Sequence, residues 1–147
     1  MKPASTMPQP QRNYDDVKIG DALGPQEMLL SKDQVRAYAK TTGMWVPRFT
    51  DDEGARKEGL PGMITPGNMS LALLCKLVTD WVGSSEAKLI RIGTTYRQPV
   101  LPDHTIVLQG FITHTNDQER AVEMDIWIEN EDAERLVIGT ATVQFAR

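Results

Sequence analysis

From Val122 to Glu129 the chain alternates without a break, Val122, Met124, Ile126 and Ile128 on one side and Glu123, Asp125, Trp127 and Glu129 on the other. Period two places each set on one face of a strand, so the run predicts a β-strand with an apolar side. Val137, Gly139, Ala141, Val143 and Phe145 alternate similarly with Leu136, Ile138, Thr140, Thr142 and Gln144, and Asn130 to Glu134 forms the polar turn between the two strands. Two further strands fit Lys88 to Arg97 and Thr105 to His114, joined by a turn over Pro99 to Asp103. Gly93, Gly110 and Gly139 fall inside strands, where a missing side chain marks close approach by another element. A buried helix is the element expected there.

Upstream the signals are helical. Ser31 and Gln34 make a capping box and Leu30 with Val35 a hydrophobic staple, so a helix should run to about Thr42 and stop at Gly43. A second helix is expected to begin with Thr65 as N-cap and Pro66 at its first position, and to end at Gly83. Its apolar residues, from Met69 through Leu71, Leu74, Leu77 and Val78 to Trp81 and Val82, lie on nearly every side, which predicts burial on nearly every side. One long apolar helix followed by four antiparallel strands is an α+β layout, with the sheet wrapped on the helix.

The 147 residues fit a single domain with a real core, here expected over residues 14–147. Residues 1–13 carry Pro and Gln and lack an apolar run, so they are expected to form a flexible tail rather than a signal peptide or anchor. A net charge of −4 without a long basic run argues against nucleic acid. No apolar stretch approaches a bilayer span, and a cytoplasmic protein is expected. The one cysteine, Cys75, excludes an intramolecular disulfide, and with two separated histidines it supports no metal site. No cofactor motif stands out, since no Gly-rich phosphate loop precedes a helix in strand context.

The most specific stretch is Thr42-Gly43-Met44-Trp45-Val46-Pro47-Arg48-Phe49-Thr50-Asp51, followed by Gly62-Met63-Ile64-Thr65-Pro66-Gly67-Asn68. It resembles the active-site segment of the MaoC-like hot-dog hydratases and dehydratases, which reads Gly-Asp-x-Asn-Pro-x-His-x-Asp. Gly43, Pro47 and Asp51 match, whereas the Asp position holds Met44, the Asn position Val46 and the His position Phe49. Arg97-Gln98-Pro99-Val100-Leu101-Pro102-Asp103 and Gly139-Thr140-Ala141-Thr142-Val143 are similar to later family segments, so the resemblance runs from about Val17 to Phe145.

The resemblance implies a hot-dog fold, an acyl-CoA or other acyl thioester as ligand, and a homodimer or a heterodimer with another hot-dog chain. In the family, a carboxylate and an imidazole share the proton transfers of enoyl hydration. Amides at the start of the buried helix polarise the thioester carbonyl. Here the implied substrate-binding residues are Met44, Trp45, Phe49, Thr65, Gly67 and Asn68, with Met44, Trp45 and Phe49 forming an apolar pocket wall. The catalytic residues stay unassigned, because neither Met44 nor Phe49 can accept a proton.

Other groups carry weaker claims. Asp51 is expected to cap a turn over residues 53–57, Arg48 to be a solvated surface cation, and His104 and His114 to be exposed. Tyr96 could donate a hydrogen bond but is expected to serve packing. Ser70 faces either the thioester or its own helix, and Gly67 either exposes amides or only lets the helix pack closely. A thioesterase would place an acid early on the helix, and Thr65 to Cys75 contains none. The preferred expectation is a degenerate hydratase subunit paired with a catalytic partner. A stand-alone lyase acting on a bulky apolar substrate is the alternative, and a non-catalytic binding protein a weaker one.

Overall fold

The computed structural model describes residues 11–83 and 86–147. Five antiparallel strands form one sheet in the order β1-β3-β4-β5-β2, with β1 at Ala22–Leu29, β2 at Ala87–Tyr96, β3 at Thr105–Asn116, β4 at Ala121–Glu129 and β5 at Arg135–Phe145. Helices α1 (Lys32–Thr41), α2 (Pro47–Thr50) and α3 (Asp52–Lys57) lie between β1 and the long α4 (Gly67–Val82). The apolar side of each strand faces α4. Ile106, Leu108 and Ile112 of β3, Met124, Ile126 and Ile128 of β4 and Ala141 and Val143 of β5 are buried with Leu74, Leu77 and Val78 of α4. Each of the Ile, Leu, Val and Met side chains among them contributes about 1.5–3 kcal/mol when fully withdrawn from water.

The period-two reading located β2 to β5, whereas β1 was absent from it. Its sequence, ALGPQEML, carries Gly24-Pro25 in its middle. The strand pairs only with β3, at the sheet edge, where the missing proline N–H leaves no ladder bond unmade. Gly24 has φ +73°, and a Cβ there would stand 2.5 Å from Leu108 O, so the residue serves a tight bulge.

Three expectations about packing need correction. First, α4 is not buried on nearly every side. Ser70, Leu74, Leu77, Val78, Trp81 and Val82 are buried, Leu71, Leu73 and Cys75 are half-buried, and Asn68, Ala72, Lys76 and Thr79 are exposed. One sheet covers only one side of a helix. Second, α4 starts one residue later than expected. Pro66 is the N-cap, its carbonyl receiving Met69 N–H at 3.0 Å, while Thr65 N–H is drawn to Val100 O at 2.8 Å. Third, the strand glycines admit neighbouring strands rather than the helix. A Cβ on Gly110 would collide with Asp125 O and one on Gly139 with Gly93 O, whereas Gly93 faces open space.

The capping box of α1 is present, with Ser31 Oγ receiving Gln34 N–H at 3.0 Å and Gln34 Oε1 receiving Ser31 N–H at 2.8 Å. Of the expected tail, residues 1–10 lie outside the described residues. Arg12, within it, is anchored: its N–H donates to Val82 O at 3.0 Å, and its guanidinium lies 4.7 Å from the Trp81 ring centroid. Among the described residues no helix is long and apolar enough to cross a membrane, and no group of three or more metal-ligating side chains occurs.

Candidate functional site

The segment between α1 and α4 is folded by its own short-range bonds. Gly43 adopts φ +73° past the end of α1, and Met44 N–H reaches back to Ala39 O at 2.8 Å. Asp51 caps α3 through Gly54 N–H at 2.9 Å, the role expected for it. Asp52 then ties the segment down, accepting from Lys32 Nζ at 2.8 Å and from Met63 N–H at 2.9 Å. These two bonds, the lysine first, hold its carboxyl below the usual aspartate range. Ile64 N–H donates to Arg48 O at 2.8 Å. Together with the Thr65 bond to Val100, this carries the chain between α2 and the turn after β2 and fixes where α4 begins.

At that point lies a cleft of about 320 Å³ whose lining includes Phe49, Thr65, Gly67, Ser70, Tyr96 and Arg97. The first amides of a helix have no partner within it, and those of Gly67 and Asn68 lie at the positive end of the sixteen residues of α4. Thr65 is 5% exposed, and its Oγ1 is buried without a hydrogen-bond partner among the described residues. Tyr96 closes the helix start from above. Its hydroxyl donates to Gly67 O at 2.8 Å, and its ring lies 3.0 Å from where a Gly67 Cβ would stand. Arg48 also lines the cleft and pairs with Glu58 at 3.2 Å, rather than being a free surface cation.

The expected site residues separate into three groups. Phe49, Thr65 and Gly67 line the cleft together. Met44 and Asn68 sit beside it in mutual contact, Asn68 Nδ2 lying 3.2 Å from Met44 Sδ. Trp45 stands apart, 57% exposed, so Met44, Trp45 and Phe49 do not form the continuous apolar wall that was expected. It occupies the apex of a reversal closed by Val46 N–H to Met44 O at 2.9 Å, where the chain offers it nothing to pack on. His104 lines a different hollow, and His114 is exposed near Glu123. Tyr96, expected to serve packing, instead donates its hydroxyl, and Arg97 was not singled out, because Tyr96 at the end of β2 and Arg97 just after it reach the helix start from about 29 residues further along.

The cleft thus lies at the free amides of a helix start, the kind of donor that polarises a carbonyl oxygen. Its lining holds no carboxylate and no imidazole to move a proton. The family model for the MaoC like domain matches residues 15–132, most of the chain. The protein belongs to the MaoC-like domain family. Solved structures agree on the fold of this MaoC-like chain. It superposes on the (R)-hydratase from A. caviae involved in PHA biosynthesis with a TM-score of 0.81 at 14% identity, covering 89% of this chain and 98% of that one. A chain of the ChsH1-ChsH2 complex from Mycobacterium tuberculosis gives 0.79 at 19%, over 88% and 98%. The HadBC (3R-hydroxyacyl-ACP dehydratase) complex from the same organism gives 0.70 at 18%, over 85% and 96%. At these identities the likeness shows the hot-dog fold and no more. No curated protein matches the chain in sequence.

Proposed function

We propose that this MaoC-like protein is the degenerate subunit of an acyl thioester hydratase or dehydratase, binding an acyl-CoA or carrier-bound acyl group and pairing with a catalytic hot-dog partner. The observation that carries the reading is the cleft at the start of α4, which keeps helix amides and an unpartnered Thr65 hydroxyl but is lined by no acid or imidazole. By the family resemblance, the two missing groups would have stood at Met44 and Phe49. Replacing both with apolar residues leaves no lone buried polar partner, which would cost ~1–3 kcal/mol.

Pairing is supported by what the single chain leaves uncovered. Edge strand β2 exposes Ile90 and Tyr96, α4 keeps an exposed stripe through Asn68, Ala72 and Thr79, and Trp45 has no packing surface. A second sheet beside β2 would complete both the ladder and the rim of the cleft. Two of the solved structures above, ChsH1-ChsH2 and HadBC, are complexes, which suits a heteromeric arrangement.

The test is purification from native cells under gentle conditions, with mass spectrometry of the bound chain and a crotonyl-CoA hydration assay. Recovery of a second hot-dog chain bearing the family Asp and His five apart, with activity only in the complex, is the expected result. A homodimer that turns over crotonyl-CoA by itself would refute the subunit reading and put the stand-alone lyase in its place.

A further inference from the structure

The outer face of the sheet carries a second hollow, on the side away from α4. In β4 the buried Ile126 and Ile128 face the core, and Trp127 between them points the other way. A tryptophan on an open sheet face should be wet, yet Trp127 is only 9% exposed, and its indole Nε1 is buried without a hydrogen-bond partner. The Arg135 guanidinium lies 3.9 Å from the centroid of its ring, and Phe111 meets the ring edge-on at 5.9 Å and 72°.

Register builds the floor beside it. Trp127 pairs with Ile138 and Ile138 with Thr95, while the adjoining row runs Asp125, Thr140, Gly93. Gly93 supplies depth, since a Cβ there would meet nothing within 4 Å. The resulting hollow of about 520 Å³ is lined by Trp127, Arg135, Arg97, Asp125, Thr140 and Gly93. That volume falls in the range of small-molecule sites, roughly 300–1,000 Å³. Two guanidinium groups face one carboxylate, and neither arginine takes part in an ion pair among the described residues.

We propose that this hollow is a binding site for a small organic anion, a carboxylate or phosphate, that accepts a hydrogen bond from Trp127 Nε1 and sets its charge against Arg135 and Arg97. A buried indole N–H without an acceptor is costly, and an anionic oxygen is the acceptor that the neighbouring guanidinium groups favour. Asp125 adds selectivity, because it repels a second anionic group and accepts from a hydroxyl. A hydroxylated acid therefore binds more tightly than its unsubstituted counterpart. The site shares Arg97 with the rim of the acyl cleft but is otherwise lined by other residues, and it does not depend on the function proposed for that cleft.

The experiment is a titration of the full chain, labelled with nitrogen-15, by lactate, propionate and inorganic phosphate, following the indole N–H resonances of its three tryptophans. Trp127→Phe assigns the reporter while keeping an aromatic ring against Arg135. The Trp127 resonance is expected to move saturably, with lactate tighter than propionate, while those of Trp45 and Trp81 stay in place. Arg135→Gln, which touches nothing in the acyl cleft, should weaken the response by about tenfold or more, the loss of one charged hydrogen bond. Coenzyme A run beside phosphate separates a carrier's phosphate, marked by a tighter response, from a free anion. A Trp127 resonance that does not move, or that moves equally with sodium chloride at matched ionic strength, would overturn the proposal. Should Trp127→Phe fail to fold, the loss of one moving resonance's response in Arg135→Gln still decides the outcome.

Discussion

Thr65→Val should make this protein more stable while making it a worse binder. Thr65 is 5% exposed, its N–H is bonded to Val100 O, and its Oγ1 has no partner among the described residues. A buried hydroxyl left without a hydrogen bond costs about 1–3 kcal/mol, and valine replaces it with a methyl of similar shape on an equally β-branched side chain. The backbone bond to Val100 is untouched. The expected gain is about 1 kcal/mol, at the low end of that range because the hydroxyl borders an open cleft. In a chain of this size that gain raises Tm by roughly 2–4 °C. Differential scanning calorimetry of the purified protein measures it, with Thr65→Ala as control. Alanine removes the hydroxyl but also leaves a small void, so it should fall below valine. In parallel, binding of butyryl-CoA by calorimetry should weaken in Thr65→Val, since the hydroxyl is then no longer available to the acyl thioester. A valine variant no more stable than the parent would refute the reasoning, because it would mean the hydroxyl already has a partner in the folded protein. Stability gained together with unchanged binding would detach Thr65 from the ligand.

Three further outcomes follow from the same geometry. Asp52, with its folded pKa held below the ordinary value of 3.8, contributes stability that is complete above that value and lost as pH falls through the lower folded one. The Tm gap between the parent and Asp52→Asn should therefore be widest near neutrality and close as pH drops below about 4; a gap independent of pH would contradict this. Gly110→Ala should lose about 1–3 kcal/mol in urea unfolding, because its Cβ collides with a backbone carbonyl, while Gly93→Ala stays within about 0.5 kcal/mol. The double change Met44→Asp and Phe49→His should bring measurable crotonyl-CoA hydration, with Asn68 Nδ2 already placed to donate to the new carboxylate. Each single change should mainly destabilise, and a folded double variant that binds thioester without turnover would mean the α4 amides do not act as an oxyanion site.

What could be read along the chain was whatever is encoded at short range. The alternation from Val122 to Phe145 gave two strands and their turn, Ser31 and Gln34 gave the start of α1, and Asp51 gave the cap of α3. β1 stayed hidden because Gly24 and Pro25 break the pattern of a strand in a place where only an edge strand tolerates them. The type of Thr65 suggests a cap, whereas a partner 35 residues away, Val100, claims its amide, and the cap falls on Pro66 with Gly67 as the first helical residue. The apolar character of α4 was legible, but periodicity does not say how many neighbours arrive to cover it. Trp45 poses the same problem, a large apolar side chain left 57% exposed at the apex of its turn.

The site divides along the same line, and the division bears on mechanism. The motif brought Phe49, Thr65 and Gly67 to one cleft, but the groups that shape its opening, Tyr96 and Arg97, come from the end of β2. β2 is also one of the two edges of the sheet. A second chain added to that edge would reach Tyr96 and Arg97 before anything else in the cleft. The hydroxyl of Tyr96 fixes Gly67 O, so a shift at the edge would be passed directly to the amides at the start of α4. In a protein whose own cleft is lined by no carboxylate or imidazole, that route is how a catalytic partner could tune the binding of the acyl group without supplying a residue to hold it. Pairing and ligand binding should then be coupled through Tyr96, and uncoupled when its hydroxyl is removed.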